Sequence, residues 1–138
     1  MLLNLKPSER RQDILLEQRL PLFIKAPCSV DCHYQLHTEK GYFLLHMQVK
    51  GALTIVCQRC LSEFIHDYNN ATVIALCLQE ETAEKLMSDY ECSVIINGEV
   101  ELSDLILDEL HLYAPQKHAD VSHCCPLATN YLGIKAPN

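Results

Sequence analysis

Residues 30–37 alternate strictly: Val30, Cys32, Tyr34 and Leu36 fall on one side, Asp31, His33, Gln35 and His37 on the other. A period of two is the mark of a half-buried strand. Glu39-Lys40-Gly41 follows as a turn with the glycine a hairpin needs. Residues 42–49 then read as a strand, Lys50-Gly51 as a second turn, and residues 52–56 as the returning strand. Residues 62–68 and 72–78 are extended, with an interruption or bulge at Asn69-Asn70. Residues 92–96 form one more strand, closed by Asn97-Gly98, the strongest turn dipeptide in the chain. The series predicts an antiparallel β-sheet meander of about five or six strands.

Helical spacing shows in two places. Residues 9–20 follow Pro7-Ser8, carry Ile14, Leu15 and Leu20 as a partial apolar stripe, and stop at Pro21, which predicts a short N-terminal helix. Near residues 103–113, Ser103 is a candidate cap and Asp104 suits the positive helix end. Leu102, Leu105, Ile106 and Leu110 form the core stripe there, with Asp104, Asp108, Glu109 and His111 assigned elsewhere, and Pro115 ends the helix. Residues 79–90, polar and acidic, read as a short helix or a loop. The fold class is α+β, a single domain over residues 1–138 in which one or two helices pack the sheet and a C-terminal tail begins at Gln116.

Composition narrows this picture. A chain of 138 residues with 49% apolar and 21% charged content is long enough for one real core and unlike a disordered segment. No apolar run approaches the roughly 20 residues of a spanning helix, so no membrane partner is expected. Charge rather than an apolar stretch follows the first residues, which argues against a secretory signal and for the cytoplasm. Eight cysteines are then expected as reduced thiols. Residues 1–60 hold eight Lys/Arg against five Asp/Glu, a balance of +3, whereas residues 61–138 hold three against thirteen, a balance of −10. Between Glu80 and Glu109 lie ten acids and Lys85 alone. An acidic surface including Glu80, Glu81, Glu84, Asp104 and Asp108 would attract a basic partner; the other reading is a solvated face that keeps the chain soluble. Phosphate binding needs a basic face, and the cations available for one are Arg10, Arg11, Lys40, Lys50 and Arg59.

The candidate chemistry centres on Cys57-Gln58-Arg59-Cys60, at a tight turn between apolar segments. Two thiols at this spacing can hold one tetrahedral ion or form a reactive dithiol. His118, His123 and Cys124 lie about sixty residues downstream and could complete a structural zinc site. Adjacent Cys124 and Cys125 point in different directions, so one of them at most would ligate. Against the metal, zinc knuckles often carry glycine after the second cysteine, and Leu61 stands there. The alternative is a bare hairpin whose thiols pack as small hydrophobes. A thioredoxin-like βαβ pattern is missing, which weakens the redox reading. Arg59 could lower the Cys60 thiol or contact an anion. Cys28-x3-Cys32 precedes His33, but residues four apart on a strand share a face without converging. Cys77 and Cys92 sit among apolar residues and read as structural. Cys60 and His66 would lie about 20 Å apart on a strand, too far for a nucleophile and its base. There is no G-x-S-x-G, phosphate-binding glycine loop or H-E-x-x-H. The chain does not read as an enzyme.

Taken in order, these blocks resemble the YceD family of bacterial proteins. The likeness rests on the apolar strand entering Cys57-Gln58-Arg59-Cys60, then Glu63-Phe64, the helix at residues 104–110, Ala114-Pro115, His118 and His123-Cys124. It covers most of residues 40–125. Two departures stand out: the region before Val30 matches weakly, and Ala136-Pro137-Asn138 stands where many family members carry Asn-Pro-Phe. The resemblance implies a non-enzymatic role in accumulation or processing of large-subunit ribosomal RNA. A ribosomal protein or pre-ribosomal particle would then be the partner. Direct RNA binding and, below it, thiol redox chemistry are the alternatives.

Overall fold

The computed structural model describes residues 2–119. Seven elements follow in order: β1 (Ser8–Leu16), β2 (Cys28–Glu39), β3 (Tyr42–Val56), β4 (Glu63–Cys77), α1 (Glu80–Leu86), β5 (Glu91–Val94) and α2 (Leu102–Tyr113). They build one five-stranded sheet in sequence order, with α2 against one face, so the α+β architecture holds. Strands β1 to β4 are an antiparallel meander. The last strand departs from that pattern: β5 lies parallel to β4, Ile74 facing Glu91 and Cys77 facing Val94. Parallel neighbours need a crossover, and α1 supplies it.

The alternation at residues 30–37 is borne out. Val30, Cys32, Tyr34 and Leu36 are buried beside Leu45, Met47 and Val49 of β3. Leu102, Leu105, Ile106 and Leu110 of α2 close the same core. The opposite sheet face carries cross-strand rows such as Glu9–Gln35–His46–Val73 and Arg11–His33–Gln48–Ala71. Asn97 and Gly98 both have positive φ, 56° and 69°, as an Asn-Gly hairpin turn requires.

Several expectations are corrected. The N-terminal segment is a strand. Ile14 faces Val30 and Leu16 faces Cys28, and both are buried, while Leu15 between them is 58% exposed. The operative period is therefore two, and pairing with β2 overrides a segment rich in helix formers. Lys50-Gly51 is no turn, since β3 runs straight through it. A Cβ on Gly51 would stand 2.9 Å from the Ser29 carbonyl oxygen and 3.1 Å from Val30 Cγ1. That glycine serves the close approach of the β2 backbone, not a reversal. Asn69-Asn70 makes no bulge either, because the β3–β4 register is unbroken from Tyr42–Cys77 to Val56–Glu63. Helix α2 begins one residue early, with Glu101 at its N-cap and Ser103 already inside the first turn. Glu109 lies on the buried stripe, only 3% exposed.

Beyond Lys50, β3 no longer pairs with β2 and hydrogen-bonds to residues 23–25 instead. Lys25 N–H donates to the Thr54 carbonyl (2.9 Å) and Val56 N–H to that of Phe23 (2.8 Å). Nine residues of β3 pair with β2 and all fifteen with β4, so the β3–β4 hairpin projects past the rest of the sheet. Its tip is the Cys57–Cys60 turn. Among the described residues no helix is long and apolar enough to cross a membrane.

Candidate metal centre

The turn that joins β3 to β4 is held by its own backbone. Cys57 N–H donates to the Ser62 carbonyl (2.9 Å), and Leu61 N–H to the Cys57 carbonyl (2.7 Å). Closing it needs a left-handed residue after the second cysteine, and Leu61 takes that conformation with φ of 64°. The knuckle geometry thus forms without the usual glycine, at a steric cost of about 1–2 kcal/mol.

Residues 114–119 return to this turn after α2. Gln58 N–H donates to the Gln116 carbonyl (2.8 Å), and the Arg59 guanidinium to the His118 carbonyl (2.5 Å). Phe64, the second residue of β4, stacks on the His118 ring with centroids 4.2 Å apart. These contacts deliver the imidazole to the two thiols. One ligand atom from each of Cys57, Cys60 and His118 lies within 4.8 Å of the others. Cys57 is fully buried and Cys60 half-buried.

The donor set fits a tetrahedral ion. A thiolate at about 2.3 Å and an imidazole nitrogen at about 2.0 Å from one zinc stand roughly 3.6 Å apart. The Cys60 Sγ to His118 Nδ1 distance is 3.7 Å. His118 N–H also donates to Cys57 Sγ at 3.4 Å, and Ser62 Oγ lies 2.9 Å from Cys60 Sγ. Burial pushes the Cys57 thiol up, but N–H donors from His118, Cys60 and Arg59, together with the Cys60 thiol, outweigh it and hold the group down at about 6. A site that stabilises a thiolate before any ion arrives is suited to a cation.

Of the five ligands expected from sequence, Cys57, Cys60 and His118 are brought together, while His123 and Cys124 lie outside the described residues. Cys28 and Cys32 point into the core, where burial pushes the Cys32 thiol up to about 12. Cys77 is buried and donates to the Ala75 carbonyl. Sequence reading overlooked Ser62, the stacking role of Phe64 and the carbonyls of Gln116 and His118. Only Phe64 had a visible signal, as an aromatic four residues past the second cysteine.

The charged candidates scatter. Glu80, Glu81 and Glu84 are exposed on α1, and Asp108 is exposed on α2, whereas Asp104 is ion-paired with Arg19. Three of the five cations, Arg10, Arg11 and Lys50, line one pocket, which they share with Glu9, Asp31 and His33. Arg10 and Arg11 are successive residues of the edge strand β1, Arg11 is held by both oxygens of Asp31, and Lys40 sits in the β2–β3 turn. Arg59 lies apart from them at the knuckle, where its guanidinium donates to the His118 carbonyl and keeps its charge.

No family model, no curated protein and no solved structure matches the chain.

Proposed function

We propose that this chain is a non-enzymatic, cytoplasmic factor of ribosome assembly. In this reading it supports accumulation or processing of large-subunit ribosomal RNA by binding a ribosomal protein or pre-ribosomal particle. A structural zinc ion holds the hairpin tip and the C-terminal segment together. The observation that carries the reading is the convergence of Cys57 and Cys60 with His118, about sixty residues apart in sequence and within 4.8 Å in space. These residues also carry much of the YceD resemblance.

Two thiolates and an imidazole suit zinc, and a fourth ligand from Cys124, or His123 in its place, would close the shell. With four protein ligands the ion has no open position for substrate, so its role is to stabilise the fold. Arg10, Arg11 and Lys50 share a pocket with Glu9 and Asp31, and Asp31 already pairs with Arg11, so few phosphates can be neutralised there and a protein or ribonucleoprotein partner is favoured over bare RNA. The redox alternative is weakened because Cys57 is buried and the half-buried Cys60 thiol is held by Ser62 and His118.

Depletion of the protein in its own cells tests the role. The ratio of large- to small-subunit ribosomal RNA should fall, and re-expression of the wild-type chain should restore it where Cys57→Ser does not. An unchanged ratio on depletion refutes the assignment.

A further inference from the structure

Leu61 fills a position whose backbone conformation the turn requires, but whose side chain the described fold does not use. Its backbone is left-handed, where glycine would turn without strain, and its side chain is 73% exposed. A leucine so placed gains little from burial within the domain. Strain held at an exposed tip is a reason to look for function there. The same turn forms one wall of a cleft of about 780 Å³, lined by Gln58, Arg59, Lys117 and His118 among others, with no carboxylate among its described lining residues. In a chain of net charge −7, that is a local island of positive character.

We propose that this tip is a docking surface for a protein segment that offers an apolar pocket for Leu61 and carboxylates for Arg59 and Lys117. The proposal rests on the assembly role above and names the surface through which it is exercised. The leucine decides the class of partner. Its methyl groups find complementary surface in an apolar protein pocket, whereas an RNA backbone offers phosphates that would reward only the cations. The metal fits the same picture, because it would fix the angle of the turn that presents Leu61.

Co-sedimentation with purified large ribosomal subunits and their precursors, in about 0.15 M salt, tests the surface. Leu61→Gly and Leu61→Asn both favour the left-handed backbone, so both should fold and retain bound zinc. Each should bind about tenfold more weakly or worse, the loss expected on removing a buried leucine from an interface. Leu61→Met should bind like wild type, and Lys117→Glu should bind more weakly. Folded, zinc-loaded Gly and Asn variants that bind like wild type would overturn the docking surface and leave the assembly role standing. Absence of wild-type association would overturn both. Capture of wild type by deproteinised large-subunit RNA as strongly as by the particles, and indifferent to Leu61, would make RNA the occupant and also refute the proposal.

Discussion

Replacing Glu109 by glutamine removes one charge from the core and little else. The carboxylate is 3% exposed, accepts from Tyr68 Oη at 2.8 Å and from Thr72 Oγ1 at 3.3 Å. Burial pushes its pKa up, opposed by the donors Tyr68 and Thr72. Because the folded-state pKa lies above the unfolded one, the native state holds this proton more tightly. That contribution is fully present below the unfolded pKa and is lost as pH rises through the folded pKa. Glu109→Gln keeps the acceptor for Tyr68 and places an amide donor near Thr72. With the desolvated charge gone, the variant should be more stable than wild type at pH 7 by about 1 kcal/mol. The difference should shrink as pH falls toward 4, where wild type carries its proton. Urea unfolding of both proteins across this range gives the comparison directly. Parallel stability curves, or a variant less stable at pH 7, would show that the carboxylate is well solvated or fully compensated, and the reasoning would fail. Tyr68→Phe provides the counterpart: removing the closest donor should destabilise the domain at neutral pH by about 1–3 kcal/mol.

Gly51→Ala should cost about 1–3 kcal/mol in thermal or urea unfolding, because its Cβ meets backbone 2.9 Å away; a neutral result would mean that β2 moves aside freely. Cobalt(II) titration should give thiolate charge-transfer absorption that Cys57→Ser loses and the buried Cys77→Ser retains, and chelation should loosen residues 116–118 first in hydrogen exchange. Equal spectra from the two variants would remove Cys57 from the site. Charge reversal of Glu80, Glu81 and Glu84 together should slow capture of a basic partner in a salt-dependent way without unfolding, since all three are exposed on α1. Association rates insensitive to both changes would reduce that face to a solubility feature.

The parts of the fold legible in sequence were those where one local rule operates alone. Val30 to Leu36 alternates over one clean face, and Asn97-Gly98 has a single favoured geometry. The misread places are those where a distant contact sets the conformation. Ile14, Leu15 and Leu20 look like a helical stripe until β2 lies alongside, after which Ile14 and Leu16 are the inward pair. Gly51 carries the signature of a turn, yet its function is fixed by Ser29, more than twenty residues earlier. Glu109 illustrates the reverse error. It stands three residues after Ile106 and four after Leu105, so helical spacing alone places it on the core stripe, and only its charge argued otherwise.

For the candidate site, the sequence gives the ligand types but not their meeting. The convergence depends on three features of the fold in succession. The β3–β4 hairpin must extend beyond β2, which needs unbroken strands through Lys50-Gly51 and Asn69-Asn70. Helix α2 must cross the sheet so that its C-terminal end, stopped at Ala114, lies near the hairpin tip. The segment after it must then be fastened by Gln116 and His118 carbonyls to donors on Gln58 and Arg59. The first of these features contradicts two breaks read from the chain, at Lys50-Gly51 and Asn69-Asn70, and the third uses backbone acceptors that any residue could supply. Leu61 argued against the knuckle by its side chain, yet its backbone adopts the conformation the knuckle requires. A position where glycine would be strain-free and leucine is found directs attention to what the leucine side chain meets, and so links the metal-shaped turn to its surroundings.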